Sequence, residues 1–271
     1  PLSATAEAYN WQRDYDDYER DSKGGMLRFG YPLFDYTRGY ISYAFDVSEV
    51  TDVNPEYTEF QIREGRFTES SVTTSIVYDS RDRAINPTEG SRHVISLQYA
   101  GLGGDVGFVK TTAEAGKYFP LFWSTVGFLH AEGGYVKEVG DQYLPDYEKF
   151  YLGGINSLRG FDWRDVSVRD EAGNRIGGEK FVQFNVEFLF PIIEKAGLRG
   201  VLFYDTGNVY KEGTRVDLGE LRDSAGFGIR WYSPMGPIRL ERGYILDRKK
   251  NAEGEYIEDS GRWEFAIGGA F

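Results

Sequence analysis

The chain of 271 residues has no cysteine and only two histidines, His93 and His130. Without cysteine, it forms neither a disulfide framework nor a thiolate metal site. The two histidines lie in strand-like segments with no evident serine or aspartate partner in sequence, whereas a hydrolase needs such a set. We therefore expect a protein that is not an enzyme and that holds no cofactor and no metal ion.

Basic charge and long apolar runs are also scarce. The 43 acidic residues outnumber the 31 basic ones and give a net charge of -12, which argues against a nucleic-acid partner because phosphate binding needs a basic surface. No apolar run approaches the roughly 18 residues of a membrane helix, and the longest, 188–193, is interrupted by Pro191. Residues 1–9 lack the basic start and apolar core of a secretory signal, so we expect a fragment that begins within a strand.

What the chain has instead is aromatic residues, 16% of the total, and 34 glycines. This composition favours β-structure. The mean hydropathy of -0.48 is typical of a soluble protein, but a barrel strand is apolar only at every second position, so an average conceals it. The sequence predicts no long helix and twelve strands, at residues 2–9, 26–33, 36–47, 68–79, 91–102, 107–119, 122–137, 180–192, 198–210, 222–232, 236–246 and 261–271.

The connections between these strands alternate between short and long. Short ones include 34–35 and 233–236, whereas the long, charged ones are 10–25, 48–67, 138–179 and 211–221. An up-and-down barrel places successive turns at opposite rims, and outer-membrane barrels have short periplasmic turns and long external loops. A β-sandwich with the same alternation is the alternative.

Alternation along the strands favours the membrane barrel. The strand at 181–190 has one face of large apolar groups and one polar face, respectively Val182, Phe184, Val186, Phe188 and Phe190, and Gln183, Asn185 and Glu187. The closing strand has an apolar face that ends on an aromatic residue, made by Trp263, Phe265, Ile267, Gly269 and Phe271, with Gly268 on its other face. Such faces fit lipid outside the wall and water inside it.

Some features leave alternatives open. Arg242 falls on the predicted lipid side of its strand, where it either snorkels to an interface or contradicts the register. The faces of 122–137 are not assigned. Aromatic residues near strand ends fit interfacial girdles, with ordinary core packing as the alternative: Tyr31, Phe34, Tyr36, Phe119, Phe122, Trp123 and Trp231. The acidic segment YDDYERD at 15–21 lacks the spacing of a calcium loop, so we predict a solvated external loop.

Four motifs together resemble one family. Segment 148–161 reads EKFYLGGINSLRGF and ends on Leu158, Arg159, Gly160 and Phe161, within the longest loop. The other three are YDSRDRAINPTEGSR at 78–92, SAGFGIRWYSPMGPIRL at 224–240 and FAIGGAF at 265–271. In their order along the chain they resemble the BamA/TamA superfamily of outer-membrane insertases, which includes two-partner secretion transporters and organellar import barrels. Leu158 replaces the valine or isoleucine that is usual in the family's loop motif.

The resemblance implies an all-β fold, a transmembrane antiparallel up-and-down β-barrel. The family barrel has sixteen strands, so the twelve predicted strands correspond to its last twelve. Residues 1–271 are then a partial outer-membrane β-barrel domain, without the N-terminal strands and the periplasmic POTRA repeats. The loop at 138–179 is the external loop that carries the motif.

The resemblance also implies an insertase that folds nascent outer-membrane proteins into the outer membrane of a Gram-negative bacterium, through a lateral seam between the first and last strands. Its expected partners are unfolded outer-membrane protein clients, accessory outer-membrane lipoproteins of an assembly complex, periplasmic chaperones, and the lipid bilayer with its lipopolysaccharide. A TamA-like or two-partner-secretion translocation barrel is the nearest alternative. A passive porin and a soluble β-sandwich module are more distant ones.

Three groups of site residues follow. A guanidinium out of bulk water needs carboxylate partners, and the family pattern pairs Arg159 with Glu187 and Asp205 on the inner wall. The seam is expected on the closing strand, at Trp263, Phe265, Ile267, Gly268, Gly269 and Phe271. The third group is a hairpin that we interpret as a structural rim rather than a catalytic cluster, made by Asp79, Arg81, Asp82, Pro87 and Gly90.

Overall fold

A computed structural model describes residues 2–57, 61–233 and 236–268. These residues form one antiparallel sheet of twelve strands in which each strand pairs with its neighbours in sequence. The strands are β1 Ser3–Asp14, β2 Glu19–Phe34, β3 Thr37–Thr51, β4 Gly65–Asp79, β5 Gly90–Ala100, β6 Phe108–Pro120, β7 Val126–Glu138, β8 Lys180–Ile193, β9 Leu198–Tyr210, β10 Arg222–Ser233, β11 Gly236–Ile245 and β12 Gly261–Ile267. The predicted all-β fold with twelve up-and-down strands is therefore confirmed.

In the described part of the chain, helical structure is confined to three short 3-10 turns, Asp146–Glu148, Glu194–Ala196 and Leu218–Glu220. Within the described ranges, none of the helices is long and apolar enough to cross a bilayer.

The first long connection was predicted wrongly. Strand β1 continues to Asp14 and β2 starts at Glu19, so residues 15–18 alone make the turn, instead of 10–25. The charged side chains of this hairpin are held on paired strands, as in Arg20, whose guanidinium lies 5.0 Å from the Trp11 ring. Charge density in sequence does not distinguish a loop from two strands that extend beyond the apolar band into water. The acidic segment at 15–21 accordingly divides between the turn and the start of β2.

The register places the two faces of the sheet in different surroundings. On β8 the polar residues Gln183, Asn185 and Glu187 are buried, whereas Phe184 and Val186 are exposed on the outer face. The pairing of Phe128 with Glu187 and of Leu129 with Val186 settles the faces of β7, which the sequence left open. Leu129 thus faces outward and His130 inward.

A ring of exposed aromatic residues lies at the end of the sheet that has the short connections. Of the seven aromatic residues that the sequence predicted for this position, Phe119 is half-buried. The other six are exposed: Tyr31, Phe34, Tyr36, Phe122, Trp123 and Trp231. This placement fits an interfacial girdle, because aromatic rings favour the boundary between hydrocarbon and water.

The interior near the long connections is filled by the chain itself. One buried cluster joins the β1–β2 turn and the ends of β3, β4, β6 and β7 to the loop residue Leu144 and includes Tyr18, Val50, Phe67, Val106, Phe108 and Val136. A second joins loop residues to β8, β9 and β11, through Leu152, Leu158, Phe161, Val166, Phe181, Val209 and Ile245. The connection between β7 and β8, residues 139–179, therefore folds back into the barrel and does not extend into solvent.

The two outermost strands are β1 and β12. Each pairs on one side only among the described residues. The outer face of β12 is exposed at Trp263, Phe265 and Ile267. Gly268 follows the strand with a positive φ of 74° and donates its amide to Pro237 O at 2.8 Å, and the predicted seam residues Gly269 and Phe271 lie outside the described residues.

Candidate functional site

The loop between β7 and β8 narrows to a hairpin before it reaches the wall of the barrel. Leu152 and Val166 exchange backbone hydrogen bonds at 2.9 and 3.0 Å, and Gly154 N donates to Phe161 O at 3.1 Å. The tip of this hairpin, residues 153–162, carries the motif. Two backbone-paired contacts therefore set the direction in which the motif side chains project.

Gly160 lies directly on the backbone of β11. It has a φ of 94°, and a Cβ atom there would lie 2.9 Å from the carbonyl carbon of Gly243. A Cβ on Gly243 would in turn lie 2.6 Å from the carbonyl carbon of Arg159. Two glycines facing each other are required because the loop and the strand approach to backbone contact.

The Arg159 side chain is buried and makes four contacts with three carboxylates. It donates from Nε and Nη2 to Asp205 at 2.7 and 2.5 Å, and from Nη1 to Glu187 at 2.7 Å and to Glu241 at 2.8 Å. Its backbone amide also donates to Asp205 at 3.0 Å. The guanidinium plane lies over the Phe203 ring at 3.6 Å. The structure thus brings Arg159 together with both acids singled out in the sequence, and adds Glu241.

Two further arginines complete the network, and the sequence did not identify either of them as a partner. Arg230 donates to both oxygens of Glu187, at 2.7 and 2.8 Å, and to Glu241 at 2.7 Å. Arg239 donates to Glu241 at 2.8 and 3.1 Å, and to Ile155 O in the loop at 3.0 Å. Alternation places Arg230, Arg239 and Glu241 on the inner face, but it does not show that they meet the loop tip.

The network is electrically balanced, with three guanidinium groups facing three carboxylates. A buried ion pair in low dielectric is stable only when each charge is compensated and hydrogen-bonded. Burial works against the charged form of Arg159, but the adjoining Asp205 and Glu187 outweigh it and raise the pKa of Arg159 above its ordinary value. Arg159 is therefore a permanent cation at any pH that the protein meets.

A polar chain extends the network toward β7. Asn185 donates to Asp205 at 2.8 Å and to Ser157 O in the loop at 3.0 Å. The Asn185 side-chain oxygen lies 2.8 Å from Nδ1 of His130. A luminal cavity of about 250 Å³ adjoins these groups and is lined in part by Glu114, His130 and Arg159. His130 is thus a satisfied polar residue of the inner wall.

The other motif residues are apolar anchors. Leu158 and Phe161 are fully buried in the cluster that contains Phe181 and Val209. The Arg222 guanidinium lies 4.7 Å from the Phe161 ring. Burying a Leu or Phe side chain stabilises by about 1.5–3 kcal/mol, so these two side chains hold the loop tip in place beside the charged network.

The loop tip also contacts the closing strand, through residues that the sequence did not single out. Gly160 N donates to Glu264 at 3.1 Å, and Asp162 forms an ion pair with Arg262. Glu264 and Arg262 are two positions apart on the inner face of β12. Their partners in the loop, Gly160 and Asp162, are also two positions apart. The motif hairpin therefore bridges β8, β9, β11 and β12 from inside the barrel.

The predicted rim hairpin is a set of internal hydrogen bonds between β4 and β5. Arg81 donates to both oxygens of Asp79, at 2.9 and 2.7 Å, and Asp82 accepts from the amide and hydroxyl of Thr88 at 2.8 and 2.9 Å. Pro87 is buried and Gly90 has a φ of 99°. The charged groups of Asp79, Arg81 and Asp82 therefore make hydrogen bonds within the turn.

A second buried arginine anchors the loop near its external side. Arg164 donates to Asp146 at 2.6 Å and lies 3.6 Å from the Tyr151 ring and 4.8 Å from the Tyr15 ring. It is buried and has a φ of 61°. Burial raises the pKa of Tyr151 well above its ordinary value, so the phenol stays neutral next to Asp146. This cluster ties the loop to the β1–β2 turn.

Comparisons with known proteins identify the family. The profile of the Omp85 superfamily domain matches residues 2–271. The chain belongs to the Omp85 superfamily. The resemblance predicted from the four motifs is thereby confirmed, and the chain is an integral outer-membrane barrel of a Gram-negative bacterium.

Similar curated proteins carry assembly-factor names. The outer membrane protein assembly factor BamA of Nitratidesulfovibrio vulgaris is 33% identical over 275 residues, which cover 100% of this chain and 34% of that protein. BamA of Neisseria meningitidis is 26% identical over 94% of this chain and 37% of its own length. The sorting and assembly machinery component 50 homolog B of Xenopus laevis is 32% identical over 69% of this chain and 43% of its own. The chain thus spans about a third of the length of the BamA relatives.

Solved structures agree in fold. BamA from Haemophilus ducreyi lacking POTRA domains 1-3 superposes with a TM-score of 0.80 at 21% identity, over 97% of this chain and 58% of that one. CdiB from Acinetobacter baumannii superposes with a TM-score of 0.56 at 14% identity, over 97% of this chain and 46% of that one. At these identities the likeness supports the barrel fold.

Proposed function

We propose that this barrel belongs to a factor that folds outer-membrane β-barrel proteins and inserts them into the membrane. The proposal is supported by the assembly-factor names of the BamA and sorting-and-assembly relatives. Within the molecule, the main support for the proposal is that the motif loop is attached to β8, β9, β11 and β12, and β12 forms the closing edge. No covalent step is involved.

The closing strand β12 is the proposed half of a lateral seam. Among the described residues it pairs with β11 alone, so its other edge has no strand beside it there. An unpaired strand edge in hydrocarbon is costly because its N–H and C=O groups have no partners. A client strand that adds to this edge satisfies those groups. The other half of the seam is proposed on a strand upstream of residue 1, within a barrel of sixteen strands.

The motif loop is the proposed lock of this seam region. Arg159 binds β8, β9 and β11 at once, and Gly160 and Asp162 bind β12. With these contacts in place, the four strands hold one inner geometry while the outer edge of β12 pairs and unpairs. The proposed partners are unfolded outer-membrane clients, periplasmic chaperones and accessory outer-membrane lipoproteins of an assembly complex. POTRA repeats upstream of residue 1 are part of this proposal.

The proposal is tested with the full-length protein in proteoliposomes that receive an unfolded outer-membrane client. We expect Arg159→Ala to slow client insertion at least tenfold, because it leaves buried carboxylates unpaired. Arg169→Ala is the matched control, since Arg169 lies in the same loop and pairs with Asp165 at an exposed site. If wild-type protein does not accelerate insertion over empty liposomes, the insertase proposal is wrong.

The same vesicles separate the alternatives. Transport of a soluble passenger across the vesicle wall, without client insertion, would support a translocation barrel of the two-partner type. A large, steady single-channel conductance would support a passive porin. The insertase proposal expects neither result.

A further inference from the structure

Arg242 is a cation on the outer face of the barrel. In the register it lies between Phe227 of β10 and Trp263 of β12, both of which are exposed on the lipid side. It therefore faces lipid, and the register that the sequence predicted is correct on this strand. Arg242 is also one strand away from the closing edge.

Three aromatic rings surround this arginine. The Phe227 and Trp263 rings contact each other edge to face across β11, with centroids 6.0 Å apart, and the Tyr244 ring lies 6.5 Å from that of Phe227. The Arg242 guanidinium lies 5.0 Å from the centre of the Tyr244 ring. The Arg242 residue as a whole is half-buried among these rings.

The charged end has no acidic partner in the part of the chain that the structure describes. Arg242 makes no salt bridge with the described carboxylates, and its guanidinium lies beside the Tyr244 ring. This contrasts with Arg159 and Arg230 on the inner face, which are fully paired with carboxylates. A guanidinium that is always charged needs an anion or water wherever it meets a bilayer.

The arginine lies deep relative to the apolar band. On its face of β11, Ile238 and Leu240 are the apolar residues that precede it, whereas β8 presents five apolar groups in a row on that face. Arg242 lies four positions beyond Ile238, which is about 14 Å along the strand, or about 10 Å in height at a tilt of about 45°. A typical apolar band is about 25 Å tall, so the long Arg242 side chain has to extend toward the outer rim to reach a headgroup.

We propose that Arg242, framed by Phe227, Tyr244 and Trp263, binds the phosphate of a lipid headgroup in the outer leaflet. The guanidinium fork matches the oxygens of a phosphate, and the rings exclude water and favour the interfacial depth. This inference depends on the membrane orientation of the barrel and not on the proposed insertase activity.

The test is native mass spectrometry of the detergent-solubilised full-length protein, titrated with diphosphoryl lipid A. Separate titrations use dephosphorylated lipid A and inorganic phosphate. We expect Arg242→Gln to weaken lipid A binding by about tenfold, as for the loss of one charge-assisted pair. Arg242→Lys keeps the charge without the fork and should weaken binding less. Lys23→Gln is the matched control, because Lys23 is an exposed cation on the outer face of β2.

Two comparisons decide the result. Dephosphorylated lipid A should bind wild-type protein about as weakly as lipid A binds the Arg242→Gln variant. Equal losses in Arg242→Gln and Lys23→Gln, or no loss in either, would show that the site does not exist and that Arg242 is only solvated. Inorganic phosphate that competes at the same concentration as lipid A would show a free-anion site and overturn the lipid proposal.

Discussion

Arg159 and Asp205 are joined by three hydrogen bonds, two from the guanidinium and one from the Arg159 backbone amide. The backbone bond means that Asp205 fixes the position of the loop itself as well as that of the side chain. Asp205 is fully buried and its remaining contact is with Asn185. The pair is therefore the most direct link between the motif loop and the wall of the barrel.

Removing the charge of Asp205 should destabilise the barrel strongly. Asp205→Asn leaves two guanidinium donors and one amide without their carboxylate, and breaking a buried ion pair costs about 3–5 kcal/mol. Heat-modifiable gel mobility of the full-length protein should be lost at a lower temperature. Asp165→Asn is the control, because the Asp165–Arg169 pair is partly exposed. Equal thermal shifts in the two variants would contradict the assignment of Asp205.

A methyl group at Gly243 should push the loop off β11. Gly243→Ala places a Cβ 2.6 Å from the carbonyl carbon of Arg159, and overpacking of this kind costs about 1–3 kcal/mol. We expect lower thermal stability and greater protease cleavage within 139–179. Gly219→Ala is a suitable control, because its Cβ would meet a flexible Asp217 carboxylate at 3.2 Å. Unchanged cleavage in Gly243→Ala would show that the loop does not rest on this strand.

Arg164 should protect the external part of the loop. In Arg164→Ala, Asp146 stays buried without its cation and the Tyr15 and Tyr151 rings lose their shared contact. Limited proteolysis and hydrogen exchange of the full-length protein should show faster opening of 139–179 and of the β1–β2 turn. Arg169→Ala should leave exchange in the β1–β2 turn unchanged. If both variants open that turn equally, the Arg164 cluster does not connect the two segments.

The rim hairpin should give a small, acid-sensitive contribution to stability. Burial opposes ionisation of Asp82, but hydrogen bonds from the Thr88 amide and hydroxyl and from the Glu89 amide outweigh it and lower the pKa of Asp82. With a lowered pKa in the folded state, this contribution is present above pH about 4 and is lost as the pH falls through the folded value. Asp82→Asn should cost about 1 kcal/mol at neutral pH after solvent screening.

The measurement for Asp82 is the free energy of unfolding of wild type and Asp82→Asn between neutral pH and pH 3. The difference between them should shrink with falling pH. Asp35→Asn, in the β2–β3 turn, is the control, because the recorded bond there is to the backbone carbonyl of Asp35. A difference that stays constant across the range would contradict the role given to the Asp82 carboxylate.

Local alternation predicted the number of strands and placed Glu187 on the inner face of β8. It left the pairing of Arg159 with Asp205 to the family resemblance. It did not identify Glu241, Arg239 or Glu264 as contacts, because their part in the site depends on where the loop tip crosses the wall. That crossing is set by the backbone contact of Gly160 with Gly243, which links positions far apart in sequence.

The turn at 15–18 could not be predicted for a different reason. Charged residues normally indicate loops, but the hairpin of β1 and β2 pairs Trp11 with Ser22 and Gln12 with Asp21. Backbone pairing and the stacking of Arg20 between Trp11 and Tyr147 stabilise these strand ends outside the apolar band. Stacking between residues so far apart in sequence cannot be predicted from composition.

A double-mutant cycle on client insertion shows whether Arg159 and Asp205 act as one link in the proposed insertase. Arg159→Ala, Asp205→Ala and the double variant of the full-length protein are compared in proteoliposomes of one composition. If the two residues act as one link, the double variant should insert the client no more slowly than the slower single variant. If the insertion rate of the double variant is instead reduced by the product of the two single reductions, Arg159 and Asp205 do not act as one link.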